Sequence, residues 1–124
     1  MKPKVLIVDD ELDVVMALKM RFEANGYEVV SASDGVQATS QALRERPDLI
    51  ILDIGMPGGD GFVVVERLKA AAATQLIPIV ILSARQAISD TQRANDLKVD
   101  RYLTKPFKPE ELMGIAASLT GQTA

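Results

Sequence analysis

The chain reads as a doubly wound α/β domain of five βα units, a parallel sheet with helices on both faces. Three observations predict it. Short apolar runs at residues 5–8, 27–32, 49–52, 77–82 and 102–103 alternate with longer segments of helical periodicity. Four of the five runs are rich in β-branched residues and apolar on both faces, as strands covered on both sides are. The length of 124 residues suits one domain, here taken as 1–124. Such βα units connect right-handedly into a parallel sheet. The functional site of such a sheet lies beyond the carboxyl ends of its strands, near the point where strand order reverses.

The elements follow in order. After the first strand, Val15, Leu18 and Phe22 recur at three- and four-residue steps and predict a helix over 11–25. Gly26 stands where a C-terminal cap would. Asp34-Gly35 opens a second helix over 35–45, with Val36, Thr39 and Leu43 as its inner face, and Pro47 closes it. Residues 61–72 carry Phe62, Val65, Leu68 and Ala72 in the same way. Residues 87–97 present a thinner apolar face, Ile88, Ala94 and Leu97. The last helix spans 109–119 through Leu112, Ile115 and Leu119. Pro109 suits its first turn, and Glu110 and Glu111 complement its dipole.

Composition narrows the chemistry. Hydrophobic residues make up 48% and charged residues 25%, the balance of an ordinary globule. The net charge of −3 argues against a direct grip on nucleic acid, which needs a concentrated basic face. No run approaches the roughly 20 apolar residues that span a bilayer. No signal peptide precedes the first strand, so a cytoplasmic protein is expected, without membrane contact. There is no cysteine, which excludes disulfides, zinc thiolate sites and thiol catalysis. There is no histidine, which removes serine–histidine catalysis and the commonest general base.

Four strand ends carry the remaining reactive groups. The first ends in Asp9-Asp10-Glu11, the third in Asp53, the fourth in Ser83, and Lys105-Pro106 follows the fifth. Taken alone, Asp9 and Asp10 read as caps of the first helix. With Asp53 on a neighbouring strand, three carboxylates crowd together and repel unless a cation joins them. Oxygen ligands with no nitrogen or sulfur suit Mg²⁺ or Mn²⁺. Asp53 is either a strand-ending turn residue or a nucleophile that forms an acyl phosphate. Lys105 is either a solvated lysine or a mobile charge on a phosphoryl oxygen, aimed by a turn in which a cis Lys105-Pro106 bond is possible. The Ser83 hydroxyl can donate to a phosphoryl group. The glycines around Met56-Pro57 form no P-loop, because the Gly-Lys-Ser/Thr ending is missing. They read instead as a tight loop that brings a backbone carbonyl to a metal.

Taken together these stretches resemble the receiver domain of two-component response regulators. The resemblance is carried by Val5-Leu6-Ile7-Val8-Asp9-Asp10-Glu11, by Pro47 through Asp53 to Gly61, by Ile79-Val80-Ile81-Leu82-Ser83-Ala84, and by Asp100-Arg101-Tyr102-Leu103-Thr104-Lys105-Pro106-Phe107. It covers about residues 4 to 119. It implies a flavodoxin-like sheet of strand order 2-1-3-4-5. It implies phosphorylation of Asp53 by a histidine kinase or phosphotransfer protein, Mg²⁺ (or Mn²⁺) held by Asp9, Asp10, Asp53 and the Gly55 carbonyl, and phosphoryl contacts from Ser83 and Lys105. Such a chain is a signalling switch that catalyses only its own phosphorylation and dephosphorylation. Tyr102 matches an aromatic that changes rotamer in such switches; it reads equally as a half-buried strand aromatic. The resemblance also implies an output face on the fourth helix, fifth strand and fifth helix.

The sequence departs from the family pattern in places. Family members often carry Thr where Ser83 stands, and a Gly-Ala pair where Lys98-Val99 stand. Arg85 lies where side chains modulate acyl phosphate lifetime, and together with Gly55 it is expected to tune that lifetime. Three other readings remain: a pseudo-receiver that binds without phosphorylation, a Mg²⁺-dependent phosphatase or phosphotransferase of small molecules, and a nucleotide- or flavin-binding domain. The last two lack a cap segment and a glycine-rich loop after the first strand, respectively. The start at Met1 and the short tail favour a stand-alone protein or an N-terminal receiver.

Overall fold

In the computed structural model, which describes residues 2–55, 61–84 and 88–121, with the side chains of 88–91 left aside, strands and helices alternate without exception. The strands are β1 (Lys4–Val8), β2 (Glu28–Ala32), β3 (Leu49–Asp53), β4 (Ile79–Ser83) and β5 (Arg101–Thr104). The helices are α1 (Leu12–Ala24), α2 (Gly35–Glu45), α3 (Gly61–Ala70), α4 (Ile88–Asp96) and α5 (Pro109–Thr120). All strands are parallel, in the order β2-β1-β3-β4-β5. Strand order reverses at β1, which lies between β2 and β3.

Side-chain alternation along the strands feeds two cores. One face of the sheet offers Val5, Ile7, Leu49, Ile51, Val80 and Leu82 to α1 and α5. The other offers Leu6, Val8, Ile50, Leu52, Ile79 and Ile81 to α2, α3 and α4. Every residue of β3 and β4 is buried, which explains their unbroken apolar runs.

The helix ends show local chemistry. Asp34 caps α2 by accepting a hydrogen bond from the Gln37 amide at 2.8 Å. Gly26, at φ +88°, takes the left-handed position after α1 that favours glycine. In α1, Val15, Leu18 and Phe22 are buried as the periodicity predicts, and such side chains contribute about 1.5–3 kcal/mol each.

The inner face of α2 is a correction. Val36 and Leu43 are 75% and 45% exposed, whereas Ala38 and Ala42 are fully buried. The helix is rotated about its axis from the expected position because it lies close against α3. A Cβ added at Gly35 would meet Val64 Cγ2 at 2.9 Å, so small residues must face inward there. Two boundaries also shift by two residues. α3 stops at Ala70, leaving Ala72 exposed outside it, and the buried Thr74 hydroxyl donates to the Leu68 carbonyl at 2.6 Å. β4 begins at Ile79, after Pro78, rather than at 77.

The departure at Lys98 has a backbone counterpart. Lys98 adopts φ +59°, the left-handed region, at the end of α4. A glycine holds that conformation without the cost of roughly 1–2 kcal/mol that an L side chain carries.

Candidate functional site

Strand register explains why distant residues meet. Val8 of β1 pairs with Leu52 of β3, so one step further Asp9 and Asp53 stand side by side at the carboxyl edge of the sheet. Asp9 continues the sheet, its amide donating to the Ala32 carbonyl at 3.1 Å. Asp9 and Asp53 are buried, at 3% and 7% exposure, while Asp10 is exposed. One carboxylate oxygen from each of the three lies within 4.8 Å of the others. This is the one group of three or more metal-ligating side chains among the described residues.

Asp9 and Asp10 do not cap α1. The N-cap of that helix is Glu11, with no side-chain cap bond. The Asp9 Oδ1 instead accepts from the Glu11 amide at 2.9 Å, and Asp53 Oδ1 accepts from the Gly55 amide at 2.8 Å. Each buried carboxylate gives one oxygen to a backbone turn and presents the other, Oδ2, to Lys105. Nothing in the apolar patterning announces these turns; the only trace is an aspartate two residues before the donor amide.

Lys105 reaches across the sheet. Its amide donates to the Ser83 carbonyl at 2.7 Å, extending the pairing of β5 with β4. From there its side chain passes β4 to reach β3, about 10 Å or two strand spacings away, a distance that needs a long side chain. The ammonium lies 3.1 Å from Asp53 Oδ2 and 3.4 Å from Asp9 Oδ2. The Lys105–Pro106 peptide bond is cis.

Electrostatics follow from this crowding. Burial raises the Asp9 pKa above its ordinary value, against the lowering pull of the Glu11 amide and the Lys105 charge; the Asp53 charge adds to the rise. Burial alone would lower the Lys105 pKa. The hydrogen bond to Asp53 and the Asp9 charge outweigh it, and the net shift is upward. One ammonium thus serves the two buried carboxylates.

The donor set fits a hard divalent cation. It is all oxygen, it is partly open through the exposed Asp10, and its only internal compensation among the described residues is a lysine. Ser83, 1% exposed, ends β4 one residue beyond the Leu82 that pairs with Asp53. Tyr102 is half-buried on β5, opposite Ile81, and packs on the α2–α4 side of the sheet. Met56 to Gly59 and Arg85 lie outside the described residues.

An open α/β sheet with a side-chain cluster of this kind at its switch point defines a class of ligand-binding α/β domains. Comparison with known proteins narrows that class. The model of the response regulator receiver domain matches residues 5–117, and the chain belongs to this family. It is 40% identical over 112 residues to the alkaline phosphatase synthesis transcriptional regulatory protein PhoP of Bacillus subtilis, covering 90% of this chain and 46% of that one. The chain spans about half the length of the curated relatives it matches. Among solved structures it resembles the chemotaxis response regulator CheY4 of Vibrio cholerae, with a TM-score of 0.88, 30% identity and coverage of 96% and 99%. The receiver domain of the sensor histidine kinase PA1611 from Pseudomonas aeruginosa, which has a magnesium ion coordinated in its active site cleft, gives a TM-score of 0.88 at 29% identity, covering 98% and 100%. Among the described residues no helix is long and apolar enough to cross a membrane.

Proposed function

We propose that residues 1–124 form one receiver domain in which Asp53 accepts a phosphoryl group from a histidine kinase or phosphotransfer protein. The observation that carries this reading is the convergence of three carboxylate oxygens within 4.8 Å beside the Lys105 ammonium. Asp9, Asp10, Asp53 and the Gly55 carbonyl would hold Mg²⁺, or Mn²⁺ in its place. When bound, the ion neutralises charge that develops on the transferring phosphoryl oxygens. The magnesium in the PA1611 receiver supports that assignment.

An Asp53 carboxylate oxygen forms a bond to phosphorus while the bond from phosphorus to the donor imidazole nitrogen breaks, and the electron pair leaves with the nitrogen. No general base is called for, because a carboxylate oxygen, unlike a hydroxyl, attacks phosphorus without a partner to activate it. The Glu11 and Gly55 amides fix the Asp9 and Asp53 carboxylates in place before reaction. Lys105 then follows the new negative charge onto a phosphoryl oxygen, and the Ser83 hydroxyl donates to another. Ser83 and Tyr102 report the event to α4, β5 and α5, the surface that meets a downstream effector. Turnover is confined to the chain's own phosphorylation and dephosphorylation. The placement is cytoplasmic, with no direct contact to nucleic acid or membrane.

Intact mass spectrometry after incubation with a small-molecule phosphodonor and Mg²⁺ tests this. One phosphoryl group is gained by the unaltered chain, and none by Asp53→Ala or in excess chelator. A gain that survives Asp53→Ala assigns the acceptor elsewhere and overturns the proposal.

A further inference from the structure

Gly61, the first residue of α3, lies against the backbone of Ile54. A Cβ added at Gly61 would sit 2.5 Å from Ile54 Cα and 2.9 Å from both Ile54 Cβ and Cγ2. The Gly61 amide also faces the Ile54 carbonyl, at 3.4 Å. Gly26 and Gly121 owe their place to a positive φ, but Gly61 does not. At Gly61 glycine is required for close approach alone.

Ile54 cannot give way. It follows directly on β3, which is paired with β1 on one side and β4 on the other, and its own side chain is 1% exposed. The start of α3 is therefore seated on the residue that separates Asp53 from Gly55. In the chain, six residues, 55–60, separate Ile54 from Gly61.

We infer that Gly61 is a positioning residue for the cation site: its missing side chain lets α3 seat on Ile54 and so fixes where the Gly55 carbonyl stands relative to Asp53. This inference rests on the proposed metal site and names a residue, itself no ligand, that sets its affinity. A methyl group at Gly61 moves the start of α3 by about 1 Å, a displacement of the size that disables preorganised sites. It does so while Asp9, Asp10, Asp53 and Lys105 remain unaltered.

The test measures Mn²⁺ binding by electron paramagnetic resonance, with circular dichroism and thermal unfolding as the check on the fold. Gly61→Ala weakens Mn²⁺ affinity by roughly 10- to 100-fold, as loss of a supporting contact does. Ile54→Ala removes buried apolar volume but keeps the backbone approach. It lowers the melting temperature and leaves affinity within about twofold of the unaltered chain. A second variant inserts one glycine between Gly59 and Asp60, a change that loops tolerate. It uncouples the Gly55 carbonyl from the seat of α3 and weakens Mn²⁺ to a similar degree, which decides the matter even where Gly61→Ala does not fold. Wild-type affinity in either Gly61→Ala or the insertion variant overturns the inference, as does an equal loss in Ile54→Ala. Absence of Mn²⁺ binding by the unaltered chain overturns the metal reading itself, and this inference with it.

Discussion

The two rims of the sheet handle charge in opposite ways. At the amino ends of the strands, Glu45, Asp48 and Asp100 each take a separate donor. Lys4 Nζ lies 3.0 Å from Glu45 Oε1, Asp48 Oδ2 accepts from the Lys4 amide at 2.8 Å, and Asp100 Oδ1 accepts from the Ile79 amide at 2.9 Å. At the carboxyl ends, Asp9, Asp10 and Asp53 crowd within 4.8 Å, and one ammonium contacts both Asp9 and Asp53. The first rim fastens loops to strands. The second holds an excess of like charge, which a stable fold alone has no reason to collect. Sites that depart from local consistency in this way are where function resides.

Substitutions at each rim sharpen the contrast. The largest effect is expected at Asp10, the exposed member of the cluster. Asp10→Asn weakens Mn²⁺ binding by roughly 10- to 100-fold while the metal-free melting temperature stays within about 2 °C, read by paramagnetic resonance and calorimetry. Equal affinity in the variant would remove Asp10 from the ligand set.

Lys105→Met comes next. It leaves two buried carboxylates without their cation, so the metal-free protein loses about 1–3 kcal/mol in urea unfolding. Added Mg²⁺ restores more stability to this variant than to the unaltered chain, because the ion no longer competes with the ammonium. A variant as stable as the parent without metal would show the lysine to be dispensable as a counter-ion.

Acid acts on the same rim. The raised Asp9 pKa means that the folded protein takes up a proton above the ordinary aspartate value of 3.8. The burial penalty on its charged form is present above the folded pKa and relieved as pH falls through it, so this group does not drive acid unfolding. Cation binding needs the ionised form, and bound Mn²⁺ is released as pH falls towards 3.8 while circular dichroism still reports the native fold. Lys105 has the complementary sign. Its raised pKa stabilises the fold below 10.5, and that contribution is lost as pH rises through the folded value.

The smallest effect belongs to the other rim. Glu45→Ala breaks the pair with Lys4 and lowers stability only slightly in urea unfolding, with Mn²⁺ affinity unchanged by paramagnetic resonance. A change in metal affinity there would mean that the two rims are coupled through the sheet.

The contrast between α1 and α2 shows how far periodicity reaches. Both segments present apolar residues at helical spacing, and both are helices. In α1 the apolar positions Val15, Leu18 and Phe22 face the core. In α2 Val36 and Leu43 face out, and Ala38 and Ala42 face in. Spacing sets that a helix forms. Its rotation depends on how near its neighbour lies, and the approach of Gly35 to Val64 is a property of two segments together.

From the sequence alone came the alternation of strands and helices, the delivery of Asp9, Asp10, Asp53, Ser83 and Lys105 to one edge of the sheet, and the family. Those are local properties: period, β-branching, caps, and position at the end of a run. Tertiary structure decided which oxygen each aspartate presents, that one lysine spans from β5 to two other strands, and that Gly61 must lack a side chain. These depend on strand register and on distances of a few ångströms between segments far apart in the chain, and no local pattern of residue types encodes such distances.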